Sequence, residues 1–169
     1  MTIYSKMITI KVTDNNILIA VWDGLKLIKF KKYNNEYAKK STLIAIKLKK
    51  LMNDIIYFDA TGEYNKYFSG AIRIKPDRQP IKKENYKNLK HQLYYYLIKS
   101  INNGTLSIEC SFPNDDFKQE LQHVKQNKYS DSNKLEIIPR KQIIESLGRD
   151  INLVDLLSYR FFAILKGFE

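Results

Sequence analysis

The pair Asp23-Gly24 limits what this chain can fold into more than any other feature. It follows a nearly unbroken apolar run, 17–22, and precedes Leu25-Lys26-Leu27-Ile28-Lys29-Phe30-Lys31, where apolar and basic residues alternate. Asp-Gly between two such runs predicts a tight hairpin, because the favoured two-residue turn needs positive φ. The unbroken run predicts a strand covered on both faces, and the alternating one a strand half open to water. Upstream, Met7-Ile8-Thr9-Ile10-Lys11-Val12 alternates as a strand does, and Asp14-Asn15-Asn16 is a turn cluster. The N-terminus therefore reads as a three-stranded antiparallel meander.

The period then changes. Leu43, Ile44, Ile46, Leu48 and Leu51 recur among lysines at helical spacing over 36–53, and 55–59 is a short apolar strand. A helix between two strands predicts a crossover, so this fourth strand should run parallel to the first. Residues 62–70 read as a turn or short helix, 71–74 as a fifth strand and 76–80 as a loop. A long helix is predicted over 83–102, with Tyr86, Leu89, Leu93, Leu97 and Ile101 on one face and Asn102-Asn103-Gly104 as its stop signal. A second helix is predicted from Asn114 to about Gln126, and a hairpin over 128–138. Pro139 opens a third helix to Leu147, and the last helix runs from near Asn152 to about Leu165. This order predicts one α/β domain over 1–169 with a mixed central sheet and flanking helices.

At 44% hydrophobic and 28% charged residues the chain can bury a core, and no apolar run approaches the ~20 residues of a membrane span. No secretory leader is visible at the N-terminus, so a cytoplasmic location and no membrane partner are expected. The one cysteine, Cys110, excludes an internal disulfide. The net charge of +11 favours an anionic partner, nucleic acid first. The competing explanation is a coding bias toward Lys, Ile, Asn and Tyr, which would add lysines without a function.

Two acidic signals stand out. In Tyr57-Phe58-Asp59-Ala60-Thr61-Gly62 an apolar run ends in a carboxylate and a turn. In Leu147-Gly148-Arg149-Asp150-Ile151-Asn152-Leu153-Val154-Asp155 one helix ends and another begins with an aspartate in its first turn. Carboxylates at the ends of buried elements suit a divalent ion. The bland readings are a turn residue for Asp59 and a helix-dipole complement for Asp155. His91 and His123 have no partner at metal spacing, and Tyr94-Tyr95-Tyr96 reads more as core packing than as a stacking platform. The best phosphate contacts are the basic residues Arg73, Lys75, Arg78, Lys82 and Lys83, with Arg149 beside the late acidic segment.

Taken together, these segments resemble the C-terminal nuclease domain of a phage terminase large subunit. The resemblance rests on Asp14-Asn15-Asn16-Ile17-Leu18-Ile19-Ala20-Val21 with Trp22-Asp23-Gly24, on Asp59-Ala60-Thr61-Gly62, on Asn88-Leu89-Lys90 through Ser107-Ile108, on Lys128-Tyr129 with Lys134-Leu135-Glu136-Ile137, and on 143–156. It implies an RNase H-like fold, viral DNA packaging, double-stranded DNA as partner, and cleavage with two Mg²⁺ or Mn²⁺ ions. No Gly-x-x-x-x-Gly-Lys-Ser/Thr loop occurs, so the ATPase half is expected to be absent, with a separate terminase ATPase or portal component as a further partner.

By the same resemblance, acids are expected in the first strand, at the end of the fourth, and as a pair at the start of the last helix. Asp59 and Asp155 fill two of these positions as catalytic residues and metal ligands. Asn152 stands where the other helix acid belongs. No acid lies in 7–12, where Thr9, Ile10 or Lys11 takes the place depending on register. Asp14 and Asp150 are the nearest substitutes, and Asp14 would need a register shift of several residues, which a half-buried strand resists. Two carboxylates support at most one weakly held ion, so a degenerate cleavage site with weak or absent activity is expected. The alternatives are a non-catalytic DNA-binding remnant of a prophage terminase and a RuvC-like Holliday junction resolvase.

Overall fold

The structure is a computed structural model that describes residues 6–13, 15–34, 55–60, 71–124, 126–127 and 136–167. The expected helix over 36–53, the turn at 62–70, Asp14 and most of the 128–138 loop lie outside the described residues.

Three strands form the expected meander: β1 (Lys6–Val12), β2 (Asn16–Asp23) and β3 (Lys26–Asn34). Gly24 turns between β2 and β3 at φ +57°, a conformation that L side chains resist. β4 (Ile55–Ala60) lies parallel to β1 on the other side, as the crossover argument requires, and the short β5 (Ile72–Arg73) is parallel to β4. At the far edge β6 (Ser107–Ile108) adds a parallel pairing to β3. The sheet order is β5-β4-β1-β2-β3-β6. A separate pair, β7 (Gln126–Asn127) and β8 (Glu136–Ile137), is antiparallel; β7 lies just before the hairpin expected over 128–138, of which 128–135 lie outside the described residues.

β1 and β2 are buried along almost their whole length, whereas β3 alternates and presents its lysines outward. β2 and β3 match their sequence patterns, since a strand covered on both faces gains from apolar residues at every position; β1 alternates in sequence yet is buried on both faces, because the last helix covers Thr9 and Lys11.

Four helices occur among the described residues: α1 (Leu89–Asn102), α2 (Asn114–His123), α3 (Arg140–Leu147) and α4 (Leu153–Lys166). α4 is buried on nearly every side. It packs on β1, β2, α1 and α2, which explains why its sequence is apolar all round rather than striped. It is also hydrogen-bonded to the sheet. Trp22 Nε1 donates to Thr9 Oγ1 at 2.9 Å, and Thr9 Oγ1 donates to the Leu156 carbonyl at 3.3 Å. Buried Arg160 donates from Nε to the Gly24 carbonyl at 2.6 Å, anchoring the hairpin turn.

Two boundaries differ from expectation. α1 begins at Leu89, not Lys83, with the Asn88 side chain accepting from His91 N at 3.2 Å. The residues before it form a short 3₁₀ turn, Ile81–Lys83, in which Lys82 and Lys83 take φ of 59° and 54°. Buried Gln92 holds this turn: Ile81 N donates to Gln92 Oε1 at 2.8 Å, and Gln92 Nε2 donates to the Ile81 carbonyl at 3.0 Å. α2 ends at His123 rather than Gln126, because the chain turns into β7.

Candidate active site

The site forms where α4 crosses the parallel pair β1 and β4. Lys11 and Asp59 are register partners on those strands, so their side chains leave the sheet on one face. Asp155 and Tyr159 lie one helical turn apart on α4 and point down onto that face. Lys11 Nζ sits 2.7 Å from Asp59 Oδ2, 3.1 Å from Asp155 Oδ2 and 3.3 Å from Tyr159 Oη. The Tyr159 hydroxyl also donates to Asp59 Oδ2, and the Tyr94 hydroxyl of α1 donates to Asp155 Oδ1. Arg140, at the start of α3, reaches Asp155 Oδ2 at 3.1 Å with one arm and Asp150 with the other.

All three central groups are nearly out of solvent: Lys11 is 7% exposed, Asp59 9% and Asp155 2%. Burial alone would lower the Lys11 pKa, but Asp155 and Asp59 together outweigh it and hold the ammonium above its usual value. Burial would raise Asp155, yet Lys11, Lys90, Arg140 and the Tyr94 hydroxyl hold it well below the usual carboxylate range. Tyr94 and Tyr159 are pushed far up by burial and by Asp155, so both remain neutral donors. Lys90, whose Nζ lies 5.4 Å over the Tyr94 ring, has its pKa lowered by burial despite the pull of Asp155.

The cluster floors an open cleft of about 910 Å³. Six cations line it, Lys11, Arg73, Lys75, Arg78, Lys90 and Arg140, against four carboxylates, Asp59, Asp77, Asp150 and Asp155. Arg73, Lys75 and Arg78 are exposed on its rim. Lys82 and Lys83 are exposed on the neighbouring 3₁₀ turn and do not line the cleft.

The structure thus brings Asp59 and Asp155 to one ammonium. It places two other candidates elsewhere. Asn152 lines a second cleft, with Phe112 and Glu120, and its buried Oδ1 accepts no hydrogen bond. Arg149 faces that second cleft too, where it donates to Glu120 at 2.6 Å and pairs with Asp116 at 3.4 Å. Glu120, fully buried, also accepts from Leu153 N and Val154 N at 2.8 and 2.9 Å. A carboxylate from α2 therefore caps the N-terminus of α4. Asp150 pairs with Arg140 on the cleft wall. Among the described residues no group of three or more His, Cys, Asp or Glu is arranged to hold a metal ion.

Five participants were not read from the sequence as site residues: Lys11, Tyr94, Lys90, Arg140 and Tyr159. Only Tyr159 carried a local signal, its spacing of four from Asp155. The others come from elements whose packing the sequence does not reveal.

A mixed sheet opening with an antiparallel meander, continued by parallel strands and crossed by a terminal helix, defines an RNase H-like domain. The chain has the fold of the nuclease domains of large terminase subunits. The nuclease domain of the large terminase subunit gp2 of bacterial virus Sf6 superposes with a TM-score of 0.68 at 18% identity, covering 95% of this chain and 89% of that one. The large terminase nuclease of thermophilic phage G20c gives 0.60 at 12% identity, covering 93% and 81%. The large terminase nuclease domain of Thermus phage P74-26 gives 0.54 at 13% identity, covering 94% and 80%. Structures of a lysine-to-alanine mutant of the Sf6 domain include one with manganese and one with calcium. No family model and no curated protein sequence matches this chain. No helix among the described residues is long and apolar enough to cross a membrane.

Proposed function

We propose that this chain is a terminase-type nuclease domain that grips double-stranded DNA along the basic cleft and cleaves it weakly or not at all. The observation that carries the reading is the charge layout of the cleft. Exposed Arg73, Lys75 and Arg78 rim it, while its acidic floor is already neutralised from within by Lys11 and Arg140. Phosphate oxygens meet cations on the rim and no net acidic surface beneath.

The expected Mg²⁺ or Mn²⁺ pair does not suit these residues. Two adjacent divalent ions bring four positive charges together, which several converging carboxylates must offset. Here two carboxylates converge on an ammonium, and Arg140 takes a further share of Asp155. Asn152 faces away, and Asp14 stands outside the described residues. Asp59 and Asp155 thereby position Lys11 at the cleft floor. We place the domain in the cytoplasm of a bacterial or phage-infected cell, serving a separate terminase ATPase or portal component.

Fluorescence anisotropy with labelled linear duplex and a four-way junction, plus plasmid nicking with Mn²⁺, tests this. The expected result is salt-sensitive duplex binding without junction preference, and nicking no faster than background. Strong junction preference would instead favour a RuvC-like resolvase. Robust nicking that disappears in Asp59→Ala would show an intact cleavage centre.

A further inference from the structure

A buried lysine between two buried aspartates is an unusual thing for a basic cleft to contain. Removing an ammonium from water costs several kcal/mol unless partners surround it. Lys11 has them: both carboxylates lie within salt-bridge distance, Tyr159 Oη is 3.3 Å away, and its Nζ lies 5.9 Å from the Tyr159 ring centre. The carboxylates are committed too, Asp155 through both oxygens and Asp59 through Oδ2. Asp59 Oδ2 takes Lys11 and Tyr159, Asp155 Oδ1 takes Tyr94, and Asp155 Oδ2 takes Lys11 and Arg140. A cation approaching from the cleft meets three of the four carboxylate oxygens already bonded to donors.

The geometry explains why one residue decides this. Lys11 and Asp59 face each other across parallel strands, and α4 sets Asp155 above them. A group at position 11 therefore lies between the other two. With a lysine there, the trio carries one positive and two negative charges. With an acid there, it would carry three negative charges on the same face.

We propose that Lys11 is the resident cation of this site: its ammonium stands between Asp59 and Asp155 in place of a divalent ion, excludes such ions, and lets the cleft hold DNA without metal. The single exchange Lys11→Asp then creates a divalent-cation site from positions 11, 59 and 155. The part concerning DNA rests on the function proposed above; the cation exclusion does not.

The test is Mn²⁺ uptake by the full chain, read as loss of the free-ion electron paramagnetic resonance signal and as a shift in melting temperature. Wild type should leave the signal and the melting temperature unchanged at millimolar Mn²⁺. Lys11→Asp should bind Mn²⁺ at least about tenfold more tightly than wild type, because a cation is replaced by a hard-oxygen ligand. Adding Asp155→Asn to that variant should reverse the gain. Should Lys11→Asp not fold, Lys11→Met serves, since it removes the ammonium and should also take up more Mn²⁺ than wild type. The proposal is overturned if wild type binds Mn²⁺ and Asp155→Asn abolishes that binding, or if removing Lys11 brings no gain. DNA binding by wild type is measured separately in EDTA. Its failure would sink the DNA-binding reading and leave the cation result standing, and metal uptake by wild type would do the converse.

Discussion

Lys11 Nζ lies 2.7 Å from Asp59 Oδ2, across a parallel strand pair in which the two residues are register partners. The contact joins the first strand of the meander to the first strand after the crossover, and α4 closes over it with Asp155. It is both a tie in the core and the floor of the cleft, so stability and ligand binding respond to the same residues.

Loss of Lys11 should be costly. Lys11→Met leaves Asp59 and Asp155 facing each other without their shared partner, and the expected loss is about 3–5 kcal/mol. Combining it with Asp59→Asn should cost less than the sum of the two single changes, by roughly 0.5–3 kcal/mol, because the second change relieves the uncompensated charge. Urea unfolding followed through Trp22, the chain's single and fully buried tryptophan, measures both.

The same cluster sets the pH limits of stability. Asp155 has a native pKa below its ordinary 3.8, so its contribution is complete above 3.8 and is lost as pH falls through the native value. Lys11 is raised above 10.5, so its contribution is complete below 10.5 and is lost as pH rises through the native value. Lys90 runs the other way: its charged form costs stability below its lowered native pKa, and that cost fades as pH rises toward 10.5. Glu120, raised by burial, opposes the acid loss between its native value and 4.5. The expected profile is a neutral plateau with an acid limb that becomes shallower in Asp155→Asn. Denaturant midpoints measured across pH check it.

The cap on α4 can be separated from the cleft. Glu120→Ala removes the acceptor for Leu153 N, Val154 N and Arg149, and should cost about 2–4 kcal/mol. Duplex affinity of the folded protein should stay the same, because Glu120 lines the other cleft. Thermal melts and anisotropy together distinguish the two effects.

On the rim, Lys75→Ala and Arg78→Ala should each lower the slope of log affinity against log salt by about 1. A charge change outside the cleft, such as Lys166→Ala, should leave the slope unchanged. A salt titration of duplex binding reads this directly.

Gln92→Leu should release the 3₁₀ turn before α1. Left-handed backbone costs about 1–2 kcal/mol per non-glycine residue, and Lys82 and Lys83 adopt it beside Ile81, whose N–H and carbonyl are bonded to the Gln92 side chain. Faster amide exchange at Ile81, with α1 protection retained, is the expected outcome.

The sequence exposed the fold more clearly than the site, for physical reasons. Asp23-Gly24 between two strand patterns has one good solution, and a helical stretch between two strands forces a parallel return, so the order of β1 to β4 followed from local rules. The later start of α1 was hidden because Lys82 and Lys83 are good helix formers by propensity, and the tertiary bonds from Gln92 override them. Asp59 and Asp155 were legible because each ends or begins a buried element. What they face was not. Lys11 lies opposite Asp59 only in one register of β1 against β4, and a one-residue slip would turn it to the other face. Tyr94 reaches Asp155 from 61 positions away, and nothing local marks that meeting.

The most direct measurement is a crystal structure grown in millimolar Mn²⁺, with anomalous scattering recorded at the manganese edge. The account expects Lys11 Nζ to bridge Asp59 and Asp155, with no anomalous peak between the two carboxylates. A manganese peak bound by both aspartates, with the lysine side chain swung aside, would contradict it.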